Sequence, residues 1–186
     1  SNDTITGTYL TGFIDETTIN KLYASIPNSA SGIYKIKTTY EEHVSLINGG
    51  TYSADEEICA PTITGSSYLD TNSTTVALTQ DNQKLVRNAS IPFFTATGIS
   101  AKKSATVSSV KVNLNEVVTN LTLSGSSASG YGTVVNSAIS LNAKFIVTDS
   151  RGFTAIKEKS VYIYDWFTPE ALINLNRQAS DTSIGV

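Results

Sequence analysis

Among side chains capable of covalent or acid–base work, this 186-residue chain carries one histidine, His43, and one cysteine, Cys59. One imidazole cannot build a multi-histidine metal centre, and a histidine-based triad needs a nucleophile in a known arrangement, which Glu41 and Glu42 beside it do not supply. His43 is read as a solvated residue in a loop between strands. Cys59 has no charged partner in the sequence around it to lower its pKa, so a buried, structural thiol is predicted, and a single thiol closes no internal disulfide. Carboxylates are more plentiful: Asp55, Glu56, Glu57, Asp70, Asp149 and Asp165. Glycoside hydrolysis needs two at a set separation. These acids instead fall in turns and linkers, where short acidic side chains form turns and keep sheet ends soluble. The reading assigns no catalytic residue, no cofactor and no metal ligand, and the chain is expected not to be an enzyme.

Asp70-Thr71-Asn72-Ser73-Thr74 opens like a calcium loop, but Thr75 stands where glycine belongs and no glutamate closes the loop. The acids near Pro61 and Pro169 are read as solvated linker residues. Sequons at Asn72, Asn88 and Asn120 are expected by chance in a chain with 49 serines and threonines. Trp166 and Phe167, with Cys59, Pro61 and Pro169, are expected to pack an interdomain junction. Phe93 and Phe94, after Pro92, read as core. The best surface contact is the stretch Ser124–Gly132, predicted to be a mobile loop, in which Ser124, Gly125, Ser126, Ser127 and Ser129 surround Tyr131.

These residues must be positioned by strands. A hydrophobic fraction of 40% suffices for a core, while 16% charged residues and a net charge of −3 argue against a nucleic-acid binder. No apolar run is long enough to span a bilayer, and no membrane contact is expected. Ile139, Leu141, Ala143, Phe145 and Val147 alternate with polar residues, as do Val110, Val112 and Leu114. Val76–Leu78 and Leu85–Val86 read as shorter strands. Asp149-Ser150-Arg151-Gly152 predicts a hairpin turn with glycine at positive φ. One short helix is expected, capped by Asp15, carrying Ile19, Leu22, Tyr23 and Ile26 and stopping near Pro27. The fold class is all-β.

Strand, hairpin, strand and proline recur, and Pro61 and Pro169 lie 108 positions apart, the size of one immunoglobulin-like (Ig-like) sandwich. The expected organisation is therefore tandem Ig-like β-sandwich domains: residues 1–58 a partial sandwich, 59–167 a complete one, and 168–186 the start of a further module or tail. With no methionine at all, the chain is expected to be part of a longer protein.

Several strings carry a resemblance. They are Ala60-Pro61-Thr62-Ile63, Asp70-Thr71-Asn72, Ala77-Leu78-Thr79, Leu85-Val86-Arg87-Asn88-Ala89-Ser90, Ala105-Thr106-Val107-Ser108-Ser109 and Val147-Thr148-Asp149-Ser150-Arg151-Gly152. In that order they resemble a family of siphophage tail proteins built from tandem Ig-like domains, over residues 60–166. Leu22–Asn28 through Tyr40 is similar to the module that precedes them. Two departures stand out: Gln80 where glycine usually follows Leu-Thr, and Glu41-Glu42-His43 in a turn the family makes from small polar residues. The resemblance implies a structural or adhesive virion segment, located in the tail, with other tail proteins and host cell-surface polysaccharide as partners and a homo-oligomer in the assembled tail. The rival readings are a bacterial surface adhesin stalk and a carbohydrate-binding module of a wall-degrading enzyme.

Overall fold

A strand buried on one face needs an apolar residue at every second position, and that alternation organises this chain. The computed structural model describes residues 15–40, 43–137 and 139–165, with the backbone alone for 36–40 and 43–48. In chain order the elements are α1 (Glu16–Ala24), β1 (Ser31–Tyr40), β2 (His43–Ser53), α2 (Glu56–Cys59), β3 (Gly65–Asp70), α3 (Ser73–Thr79), β4 (Lys84–Val86), β5 (Pro92–Thr97), β6 (Val107–Leu114), β7 (Val117–Ser124), β8 (Ser127–Tyr131), β9 (Leu141–Asp149) and β10 (Thr154–Tyr164). β1 and β2 pair antiparallel as a sheet of their own. The remaining eight strands form one sheet, ordered β3-β5-β8-β7-β6-β9-β10-β4, with only the β10–β4 pair parallel. The fold is all-β.

Strand β7 lets the eight-stranded sheet turn back on itself. Its first half, Val117–Leu121, pairs with β6, whereas Thr122–Ser124 pairs with β8. The two inward faces meet where Phe94 of β5 and Phe145 of β9 cross edge to face, centroids 5.9 Å apart at 84°, a favoured aromatic geometry. Buried Val110, Val112, Ala143, Val147, Val161 and Ile163 join that pair in one core cluster with Tyr68, Ala96, Leu121 and Ala128. The sheet nearly closes into a barrel. At the seam the buried Tyr68 hydroxyl donates to the Gln83 carbonyl at 2.6 Å and accepts the Tyr162 N–H at 3.0 Å. The Asp70 N–H adds a bond to the Asn82 carbonyl at 2.7 Å. Burial pushes the Tyr68 phenol pKa upward, which keeps its proton on the donor side of that bond.

Several expectations are corrected. Helix α1 forms as predicted, with the Asp15 carboxylate accepting the Thr18 N–H at 2.7 Å; hydrogen bonding from Thr18, its side chain first and its N–H second, holds the Asp15 pKa below the usual carboxylate value. It is not alone, however. Val76–Leu78, expected as a strand, lies in α3, because Asn72 caps that helix through the Thr74 N–H at 3.0 Å. Three apolar residues are too few for their period to distinguish helix from strand. The Ser124–Gly132 stretch, expected as a loop, is the β7–β8 turn followed by strand β8, paired to β5 and β7. Gly130 sits where the sheet is tight: a Cβ there would come within 3.1 Å of the Asn120 carbonyl oxygen. His43, read as a loop residue, begins strand β2.

The end of α3 explains one departure in the sequence. Gln80 closes the helix at φ +54, the left-handed conformation that a side chain resists. Gln80→Gly is expected to raise stability by about 1 kcal/mol, seen as a higher urea midpoint. Tyr68→Phe, which leaves the Gln83 carbonyl and the Tyr162 N–H unpaired, is expected to lower stability by about 1–3 kcal/mol, with an unchanged slope in the same measurement.

Candidate functional site

The turn between β9 and β10 has only residues 150–153 in which to reverse the chain. Asp149 accomplishes this by folding its carboxylate onto the backbone: Oδ1 accepts the N–H groups of Arg151 and Phe153, each at 2.9 Å. Gly152 takes φ +94, as the turn chemistry predicted. Oδ2 is left facing the Arg151 guanidinium, 3.4 Å from Nη1, and both side chains are fully shielded from solvent.

A buried charge is tolerated when its donors all find acceptors. Arg151 meets this condition with backbone carbonyls. Nε donates to Ile26 at 3.1 Å, Nη1 to Lys102 at 3.0 Å, and Nη2 to Tyr23 at 3.0 Å and to Lys103. With Asp149, these contacts engage all five guanidinium N–H groups. Ser150 reinforces them, its Oγ donating to the Pro27 carbonyl at 2.5 Å and accepting the Thr106 N–H at 3.1 Å.

The acceptors are ones that secondary structure leaves over. Tyr23 and Ile26 lie at the end of α1, where carbonyls lack intrahelical partners and the negative end of the helix dipole favours a cation. Tyr52 of β2 reaches the same helix end, donating to the Leu22 carbonyl at 2.9 Å beside Ser25 Oγ, also at 2.9 Å. Arg151 thus fastens α1 to the large sheet, and Tyr52 fastens the β1–β2 hairpin to α1. Cys59, the last residue of α2, is fully buried, and Pro61 is buried after it. Burial pushes the Cys59 thiol pKa up, against a smaller opposing pull from the Arg151 and Lys103 charges. Trp166, Phe167 and Pro169 lie outside the described residues.

A second polar knot sits under α3. The buried Asp70 Oδ2 accepts from Ser90 Oγ at 2.5 Å and from Thr75 Oγ1, while Oδ1 accepts the Asn72 N–H at 3.0 Å. Ser90 Oγ in turn accepts the Val86 N–H at 2.7 Å. A serine hydroxyl on a carboxylate resembles an activated nucleophile, but Ser90 has no exposed surface for a substrate to reach. The cluster holds α3 and the β4–β5 connection against β3. Asp70-Thr71-Asn72, which opens like a calcium loop, is thus a helix cap and a buried anchor. Asp55 caps α2 through the Glu57 N–H at 2.9 Å, and Asp165 pairs with Arg87 at 3.0 Å.

The predicted contact residues separate by strand geometry. Ser127, Ser129 and Tyr131 alternate along β8 with the inward Ala128 and Gly130, Ser124 ends β7, and Gly125, at φ +60, and Ser126 make the turn. Tyr131 is 67% exposed and packs on Phe93 with ring centroids 4.8 Å apart. Phe93, expected in the core beside Phe94, points to the opposite face from it, as neighbours in a strand must. Among the described residues no three His, Cys, Asp or Glu side chains group closely enough to hold a metal ion. No described helix is long and apolar enough to cross a membrane.

Compared with known proteins, the chain matches no family model and no curated protein. Asp149-Ser150-Arg151-Gly152 is legible in the sequence as a hairpin turn, but the partners of the Arg151 side chain are not. The structure turns Arg151 inward to carbonyls at the end of α1 and just after it, which lie more than 120 positions away and leave no local signal.

Arg151→Met would leave the Asp149 carboxylate and the carbonyls without their cation, at an expected cost of about 3–5 kcal/mol. Hydrogen exchange should rise across residues 16–30 while amides of β6 and β9 keep their protection. Arg151→Lys should restore only part of that protection, because an ammonium has three donors and no fork. Equal loss in both regions would show that α1 is not held by this contact.

Proposed function

We propose that this chain is a structural and adhesive segment of a phage tail fibre or baseplate-associated virion protein, in which Ig-like sandwich modules act as a spacer and make weak contact with the host surface. The supporting observation is the junction. The segment preceding the large sheet is fastened to it by a buried guanidinium bonded to carbonyls of both, so bending there would strand a charge in a dry site. A joint of that kind transmits orientation along a series of modules. The sandwich reading of the large sheet draws on its inward faces meeting at Phe94 and Phe145 and on β7 passing between its two halves. Stability without disulfides suits assembly in a reducing cytoplasm. Other tail proteins are the expected partners, with no nucleic acid.

Immunogold electron microscopy of particles carrying a tagged copy tests the assignment. Label on the tail tip or fibres is the expected result; label confined to capsids, or absent from particles, would overturn it.

A further inference from the structure

We infer that the outward face of β3, β5 and β8, with the end of β7, binds a neutral glycan chain; this rests on the adhesive part of the reading above and gives it a site and a ligand class. The register of these strands lays their outward residues in rows. Leu69, Phe93 and Tyr131 are cross-strand neighbours in the first row. Ser67, Thr95, Ser129 and Thr122 form the second, and Gly65, Thr97, Ser127 and Ser124 the third. Their strand neighbours Tyr68, Asp70, Phe94, Ala96, Ala128 and Leu121 are buried, which fixes the rows as outward.

The chemistry of the face is specific in what it omits. No position in the three rows carries a charge, whereas the outward face of β9 and β10 bears the Lys144–Glu158 ion pair at 3.6 Å. An acidic polymer would find no cation here. A neutral sugar ring would find what it can use: the exposed ring of Tyr131, with half-buried Phe93 packed beside it, for its C–H face, and short hydroxyl side chains alongside. A serine or threonine hydroxyl both donates and accepts, as sugar hydroxyls do, and short side chains on a sheet lose little freedom when a ligand orders them.

Size separates this occupant from a protein. With strands about 4.8 Å apart and about 3.4 Å per residue, the eleven outward residues of the rows cover roughly 360 Å². A stable copy-to-copy interface needs about 800 Å² from each partner. The patch suits a short run of sugar rings, held weakly and repeated along an assembly to gain avidity.

Titration of the isotope-labelled 186-residue chain with cellohexaose, a mannan fragment and a galactan fragment, followed by amide NMR, tests the inference, with polygalacturonate as the acidic comparator. Saturable shifts centred on Leu69, Phe93, Tyr131, Thr95 and Ser129 with at least one neutral glycan are expected. Tyr131→Ala, at a position too exposed to threaten folding, should weaken that binding about tenfold, and Ser67→Glu should do so from the neighbouring row. Shifts that map elsewhere, binding to polygalacturonate alone, silence with all neutral glycans, or sugar-free shifts that grow with protein concentration would each overturn it, the last in favour of a second copy. Cell binding by the labelled chain that survives Tyr131→Ala would remove this face while leaving the adhesive reading intact.

Discussion

A guanidinium with no access to water must be fully bonded, and Arg151 is where that requirement shapes the molecule. Its acceptors come from the end of α1 and the residues just after it, from the Lys102–Lys103 turn and from the Asp149 turn, segments that Ser150 also joins through the Pro27 carbonyl and the Thr106 N–H. Hydrophobic contact is non-directional and would tolerate α1 in many poses. Five hydrogen bonds with fixed donor directions tolerate far fewer. The cost of burying the charge is offset only in the one arrangement that satisfies it, so the junction is specified by what would be lost on leaving it.

Asp70 works on the same principle without a cation. Its carboxylate is satisfied by two hydroxyls and a backbone N–H, and those donors belong to α3 and to the β4–β5 connection. Each buried acid thus converts a connection between strands into a fixed part of the fold. Tyr68 does for the sheet seam what these acids do for the connections, giving one atom two partners across an edge that would otherwise expose unpaired backbone. The apolar core around Phe94 and Phe145 supplies cohesion, and three polar points supply position.

Much of this was legible in the residues. The alternation around Phe145 specifies β9 because its polar and apolar positions are unambiguous over nine residues. Asp15, with an apolar stripe and Pro27 behind it, specifies α1, and Asp149 with Gly152 specifies a turn. Less legible was β8, whose inward residues are Ala128 and Gly130. Small residues give no hydrophobic period, and at Gly130 the reason is the closeness of β7, a tertiary fact. Helix α3 did carry a local signal, Asn72 before Ser73-Thr74-Thr75, which outweighs three apolar residues once the cap is considered.

By itself the sequence determined the fold class, the first helix, the β9–β10 turn and the burial of Cys59, because propensity, period two and turn chemistry are local properties. Which way Arg151 points, which backbone carbonyls receive it, and which serines of β8 share a row with Phe93 and Thr95 were decided only in three dimensions. Those outcomes depend on register and on partners far away in the chain, and no residue carries its partner's position in its own type.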